Sequence, residues 1–321
     1  MNAAIELRDV TKTFGRNTAV KNLNLTIPQG GLYGFIGPNG AGKTTTIRLI
    51  MSILFPDSGS LSVLGYGSAL EAKNRIGYLP EERGVYRKMR VGDFLHFVAN
   101  LKGLRGIDLD KRIKTSLEQV GLGGTERKRC EEFSKGMLQK VQFLAAVLHR
   151  PDLLILDEPF SGLDPVSSRL LRDLVLDEHR RGATILFSTH VMPQAEEICQ
   201  DVVMIHQGRK VLDERLATIC SRYDPRTIEF EPLDPHADIS PIGNLPGVAR
   251  VERSNSGYKV LLLDGTNPTA AMHKILDMAN PARLELSRPR LEEIFLQLVA
   301  SATDTAEDRR KLMADLEGNN A

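Results

Sequence analysis

The segment Gly37-Pro38-Asn39-Gly40-Ala41-Gly42-Lys43-Thr44-Thr45 constrains this chain more than any other. It fits the spacing G-x-x-x-x-G-K-[ST], follows the apolar run Leu32 to Ile36, and opens a helical stretch without breakers, Lys43 to Leu54. Strand, glycine-rich turn and helix in that order bring successive backbone N–H groups around an anion at the positive end of a helix dipole. Glycines at 37, 40 and 42 let the backbone curl that closely, Lys43 neutralises outer phosphates, and Thr44 offers a hydroxyl to Mg²⁺. A plain glycine-rich turn is the alternative for the bare pattern; the strand before it and the helix after it favour a phosphate cradle.

Such a cradle needs carboxylates opposite it, and Leu153-Leu-Ile-Leu-Asp157-Glu158-Pro159 carries two. The continuously apolar run, bounded by Pro151 and Asp157, reads as a strand covered on both faces. Asp157 then emerges at the carboxyl edge of a parallel sheet and reaches Mg²⁺ directly or through water. Glu158 is the natural base for a hydrolytic water. Alone, Asp-Glu-Pro is also a common start to a loop; beside the cradle it reads as the second half of one site.

The remaining sequence alternates short apolar runs with helical patterns up to about residue 220, the texture of a mostly parallel sheet covered by helices. Thr184 to Thr189 and Val202 to Ile205 read as further buried strands. Asn22 to Ile27 alternates, which predicts a half-exposed antiparallel or edge strand. Helices are expected at Val91 to Leu101, Asp110 to Val120, Ser134 to His149, Pro165 to Arg181 and Pro193 to Cys199. In the Ser134 helix, Met137, Val141, Leu144 and Leu148 fall on one core face. After Cys220, four prolines between Pro225 and Pro241 mark a boundary followed by an exposed strand. Val248 to Val251 and Tyr258 to Leu263 flank Ser254-Asn255-Ser256-Gly257, a hairpin signal. Helices at Thr269 to Met278 and through Leu291, Ile294, Phe295 and Leu298 complete a small α+β domain at 221–300, with a fraying tail at 301–321.

A length of 321 residues allows about two domains. The net charge of +1 lends no support to a nucleic-acid coat. The longest apolar run, Phe143 to Leu148, is six residues, against the roughly 18 to 20 of a spanning helix. The start of the chain has no basic region followed by an apolar core, so the cytosol is the default compartment. Cys130, Cys199 and Cys220 have no metal-ligand spacing and read as small hydrophobes.

With what lies between and after them, the two motifs resemble the nucleotide-binding subunit of ABC transporters through residues 1 to about 220. The resemblance implies a P-loop NTPase of ABC type, an α/β domain with an antiparallel edge sheet and a helical subdomain at about 80–150, binding ATP with Mg²⁺. Phe14 falls where the family carries an aromatic side chain that stacks on adenine. Phe133-Ser134-Lys135-Gly136-Met137 looks like the signature loop, Ser161-Gly-Leu-Asp164 like the segment that crosses the dimer interface, and His190 like the switch histidine at the γ-phosphate. Ser134 can cap its helix, and Gly136 keeps N–H groups close to an anion. The family implies that this helix end meets the γ-phosphate of ATP held by a second ATP-binding subunit, a copy or a paralogue.

Two departures stand out. Glu81 occupies the place of the family's usual Gln, where a carboxylate can reach Mg²⁺ through water. Lys135 and Met137 replace the signature's usual first Gly and its Gln, and Lys135 either contacts phosphate or faces solvent. The stretch from Ile76 to Tyr86, the signature loop and the ending Arg290-Leu-Glu-Glu-Ile-Phe-Leu are similar to the single-domain ATPases that serve ABC-2 type exporters. That subgroup implies a separate integral membrane permease, a peripheral position at the cytoplasmic face of the membrane, and no nucleic-acid partner. Phe94, Phe97 and Leu101 are candidates for a groove that receives the permease, or else core. The rival classes are a soluble ABC-type ATPase acting on a nucleic-acid or ribosomal partner, whose usual second nucleotide domain, coiled coil or basic arm is not seen here, and a regulatory module without turnover, which would lack Glu158.

Overall fold

The structure is a computed structural model and describes residues 2–82, 84–106, 108–222, 226–254, 257–287 and 290–302. The expected tail lies outside these from residue 303 onward, as do Asn255 and Ser256 of the expected hairpin turn. The chain divides into two compact units, one built on Met1–Arg215 and the other on Leu216–Leu298.

The first unit begins with β1 (Ala3–Phe14), β2 (Asn17–Pro28) and β3 (Leu32–Ile36), followed by α1 (Lys43–Ile50), β4 (Ser58–Val63) and β5 (Ile76–Leu79). Three helices come next, α2 (Val91–Leu101), α3 (Asp108–Gln119) and α4 (Lys135–Val147). The unit then alternates through β6 (Leu153–Asp157), α5 (Pro165–Arg180), β7 (Thr184–Thr189), α6 (Met192–Ile198), β8 (Asp201–His206) and β9 (Arg209–Arg215). Six strands form one sheet in the order β5-β6-β7-β3-β8-β9, parallel except for β9. A three-stranded antiparallel sheet, β2-β1-β4, lies beside it. In β2, Leu23, Leu25 and Ile27 are buried while Asn24 and Thr26 are exposed, as the alternation dictates. In β3, β6 and β7 every residue is buried, as expected of central parallel strands covered on both faces.

The two sheets share a core that includes Ile5, Leu25, Phe35, Ile47, Ile155 and Val203. A second core joins α2, α3 and α4 through Phe94, Leu95, Ile113, Leu117, Val141 and Leu144. Phe94 is therefore core, only 4% exposed, and drops out of the candidate docking groove. Phe97 and Leu101, farther along α2, remain exposed, and Phe97 meets Tyr86 edge-on with ring centroids 5.8 Å apart. At the end of α2, the Lys102 ammonium donates to the Lys73 carbonyl (2.6 Å) and the Ile76 carbonyl (2.7 Å), and His149 Nε2 donates to the same Ile76 oxygen (3.0 Å). Burial pushes the His149 imidazole down to about 4, with the Lys102 charge acting the same way.

The second unit holds α7 (Leu216–Arg222), β10 (Thr227–Pro232), α8 (Ser240–Gly243), β11 (Val248–Ser254), β12 (Gly257–Leu262), α9 (Pro268–Met278) and β13 (Pro281–Ser287). A last helix, α10, spans Leu291–Ala302. The sheet order β11-β12-β10-β13, wholly antiparallel, is that of a β-α-β-β-α-β unit of ferredoxin-like topology. This corrects the expected exposed strand: β10 is an inner strand, with Ile228 and Phe230 buried against Val260 and Ile275. Pro232 is the last residue of β10, at the end of its ladder, so proline density misread the strand's position.

Candidate functional site

The turn between β3 and α1 is shaped by how closely its neighbours pass. A Cβ on Gly37 would sit 2.2 Å from the Ile205 carbonyl oxygen, and one on Gly42, whose φ is +107°, 2.4 Å from that of Ala19. Both clashes are with backbone, so only glycine lets the turn lie this close to β8 and β2. Pro38 and Ala41 are buried, Asn39 and Gly40 are exposed, and Ala41 N–H donates to the Pro38 carbonyl (3.2 Å). Gly42 precedes α1 without a side-chain cap, which leaves first-turn N–H groups facing the turn. Lys43, 6% exposed, folds back and donates to the carbonyls of Gly37 (2.7 Å) and Pro38 (3.2 Å). Burial lowers its pKa, opposed by the charges of Glu158, Asp157 and Glu81. Thr44 and Thr45 follow on the first turn of α1, half-buried.

Asp157 ends β6 fully buried, and neither carboxylate oxygen has a hydrogen-bond partner. Burial pushes its pKa up to about 6; the Ser188 and Thr44 hydroxyls beside it offset part of this without reaching hydrogen-bond geometry, while Glu81 and Glu158 push the same way as burial. A buried carboxylate with both oxygens unmet is costly unless a cation joins it. Donor type and placement thus fit a hard divalent ion held by Asp157 and the Thr44 hydroxyl. Among the described residues no group of three or more His, Cys, Asp or Glu side chains could hold an ion by itself, so phosphate and water would complete the shell.

Glu158 sits at a strained backbone, φ +50°, with its N–H donating to the Ser188 carbonyl (3.0 Å). Its Oε1 accepts from the His190 backbone N–H (2.9 Å) and from His190 Nδ1 (2.7 Å). The Thr189 hydroxyl stands 3.3 Å from Oε2 and 3.0 Å from Gln194 Oε1, and accepts from Val191 N–H (3.1 Å). Behind it, buried Gln139 of α4 donates to the Pro159 carbonyl (3.1 Å) and fixes the loop that carries the carboxylate. Thr189, Gln194 and Gln139 were not legible as site residues: no motif marks them, and only the strand and helix ends bring them to Glu158.

Lys43, Thr44, Asp157, Glu158 and His190 thus gather at the carboxyl ends of β3, β6 and β7. Glu81, in the loop after β5, acts on Lys43 and Asp157 through its charge but is exposed and makes no hydrogen bond or ion pair among the described residues. Phe14, at the end of β1, is 47% exposed, with the Lys12 ammonium 5.7 Å from its ring centroid. That is an open aromatic face with a cation at its rim, suited to stacking on a purine.

A second group lies at the starts of α4 and α5. The Ser134 hydroxyl accepts from Met137 N–H (3.3 Å) and caps α4, leaving the Lys135 and Gly136 amides as first-turn donors. Asp164 accepts from Ser167 N–H (2.9 Å) and caps α5; Ser167, through hydroxyl and amide, holds this exposed carboxyl below the usual range. The two starts are neighbours, since a Cβ on Gly136 would lie 3.4 Å from Leu163 Cδ2. Lys135 is exposed and drapes over Gly162, where a Cβ would meet its ammonium at 2.4 Å. Met137, expected on the core face, is only half-buried, and its neighbour Leu138 is buried instead.

The sequence model of a family described as ABC transporter matches residues 20–161. YhaQ of Bacillus subtilis (strain 168), described as an uncharacterized ABC transporter ATP-binding protein, is 38% identical over 292 residues, 91% of this chain and 97% of that protein. The bacitracin transport ATP-binding protein BcrA of Bacillus licheniformis is 32% identical over 317 residues, 94% of this chain and 99% of that one. A solved structure described as the ATP-binding subunit of an ABC transporter aligns with a TM-score of 0.64 at 31% identity, over 68% of this chain and 92% of its own.

Proposed function

Since this chain belongs to the ATP-binding subunits of ABC transporters, and is an ATPase, we propose that it pairs with a second ATP-binding subunit and powers export through a separate integral membrane permease, at the cytoplasmic face of the membrane. One observation carries the reading: a glycine-built anion cradle, a buried carboxylate lacking partners and a second carboxylate held by a histidine meet at one sheet edge.

In this reading Gly37, Pro38, Asn39, Gly40, Ala41, Gly42 and Thr45 form the wall around the phosphates, and Lys43 exchanges its loop carbonyls for phosphate oxygens. Phe14 stacks on the adenine. Mg²⁺ held by Thr44 and Asp157, and through water by Glu81, supplies positive charge to the outer phosphates. Glu158 takes a proton from the attacking water, and His190 keeps that carboxylate oriented and reaches the γ-phosphate. Catalysis then rests on placement and charge, as for phosphoryl transfer in general.

The second group supports pairing. The amides of Lys135 and Gly136, at the positive end of α4, would meet the γ-phosphate held by the other subunit, with Asp164 at the interface. ATP would then join the two subunits, and hydrolysis would release them. Similarity to a bacitracin transport protein along nearly the whole chain supports export. No helix among the described residues is long and apolar enough to cross a membrane, so the path for substrate is assigned to the permease. Phe97, with Tyr86 against its ring, and Leu101 are the apolar side chains offered to it.

The test uses the purified chain and Glu158→Gln. The variant should lose turnover, keep MgATP and elute as an ATP-dependent dimer, and the native chain should copurify from detergent extract with an integral membrane protein. A variant that stays monomeric at saturating MgATP, or a chain found in extracts only with ribosomes, would contradict the proposal. Glu81→Gln should leave ATP binding intact and change the coupling of hydrolysis to transport; equal coupling in reconstituted vesicles would remove Glu81 from the site.

A further inference from the structure

We infer that the cleft between α3, α4 and α5 is a binding site for a small organic anion, a phosphate ester attached to an apolar body. The cleft encloses about 530 Å³ and shares no lining residue with the ATP cradle. Its volume falls inside the roughly 300–1,000 Å³ typical of small-molecule sites. Phe143, Leu144, Leu148 and Leu174 give it an apolar floor. Lys111 and Arg112 of α3, Arg150 beyond the end of α4 and Arg181 beyond the end of α5 bring cations to its walls, and Thr115 and Ser116 add hydroxyl donors.

Charge pairing decides what this arrangement accepts. Three carboxylates also line the cleft, Asp108, Asp177 and Glu178. Glu178 is engaged by Arg181 at 2.7 Å, and Asp177 by Arg180 outside the lining. Lys111, Arg112 and Arg150 form no ion pair among the described residues, which leaves Asp108 as the one lining carboxylate without a partner against three unpaired cations. Arg112 is half-buried, and its pKa is lowered by burial and then by Arg150 and Arg181, with Glu178 opposing. Like charges brought together over an apolar floor are costly until an anion joins them. Guanidinium groups fit phosphate oxygens in pairs, so a phosphate ester matches the walls while its apolar part covers the floor.

The probe is naphthyl phosphate, titrated calorimetrically into the full chain carrying Lys43→Ala, which disables the ATP cradle as a competing phosphate site. Saturable one-to-one binding is expected, tighter than that of naphthol or inorganic phosphate. Arg112→Gln combined with Arg150→Gln should weaken it about a hundredfold, roughly tenfold per lost guanidinium. Thr115→Glu, at an exposed position, tests the same point without emptying the cleft of cations, and should abolish the titration while leaving the melting temperature unchanged. Sedimentation with phosphatidylglycerol vesicles runs alongside; binding that disappears in the same variants supports the site with a lipid headgroup as the source of the phosphate. No saturable binding of either probe, or binding that both sets of variants leave unchanged, overturns the inference.

Discussion

The two sheets at the centres of the two units treat polar groups in opposite ways. Among the described residues, every buried polar or charged side chain lies between Lys43 and Thr189, in the first unit, and Asp157, Glu158, Ser188 and Thr189 crowd the carboxyl edge of its six-stranded sheet. The core of the four-stranded sheet is apolar throughout, from Ile228 and Phe230 to Val260 and Ile275, and its charges pair in the open, as Arg283 does with Glu229 and Glu285. Burying unmet polar atoms is costly, so the first arrangement persists only where something uses it. The second is what packing alone produces.

Substitutions at the two sheets should therefore fail in different ways. The largest effect is expected from Glu158→Gln, which removes the proposed proton acceptor and should lower ATP turnover by roughly 10³-fold while nucleotide binding persists; steady-state phosphate release checks this, and unchanged turnover would move the base elsewhere. Phe230→Ala should destabilise the second unit by about 4 kcal/mol. Calorimetry should place that loss in a transition that MgATP does not raise, because the proposed nucleotide site lies in the first unit. Asp157→Asn works in the other direction. Removing a buried, unpartnered charge should stabilise the nucleotide-free chain by about 1–3 kcal/mol, measured by urea unfolding, while the divalent-cation dependence of ATP binding is lost.

The comparison also explains what could be read from the chain alone. Features set by local spacing were legible: the glycine turn before Lys43, the apolar run into Asp157, and the Ser134 cap are properties of a few consecutive residues. Features set by pairing across the sequence were not. β4 (Ser58–Val63) has little apolar content and β9 (Arg209–Arg215) is rich in charge, so neither has the pattern of a strand, and each is held by its partner's ladder. The same holds for the bond between His190 and Glu158, which exists because β6 and β7 are neighbours. Phe94 and Phe97 looked alike in sequence and are neighbours along one side of a helix, yet what packs against α2 covers the first and leaves the second exposed.

The smallest expected effect belongs to His149, where the helical segment meets β5. Burial lowers its pKa from 6.5 to about 4, so the folded chain takes up this proton later than the unfolded chain as pH falls. Stability present at neutral pH is lost as pH drops through the unfolded value toward the folded one, about 2 kcal/mol by about pH 5. His149→Gln, which keeps a donor for the Ile76 carbonyl, should flatten that part of the pH profile in urea unfolding. An unchanged profile would mean the imidazole is not the group responsible.

The most direct measurement is equilibrium binding of ATP in the presence and absence of Mg²⁺ to the native chain and to Lys43→Ala. Saturable binding by the native chain that tightens with Mg²⁺ and is lost when Lys43 is removed is the result required if the polar edge of the six-stranded sheet holds the nucleotide. Equal affinity in both proteins, or none in either, would contradict it.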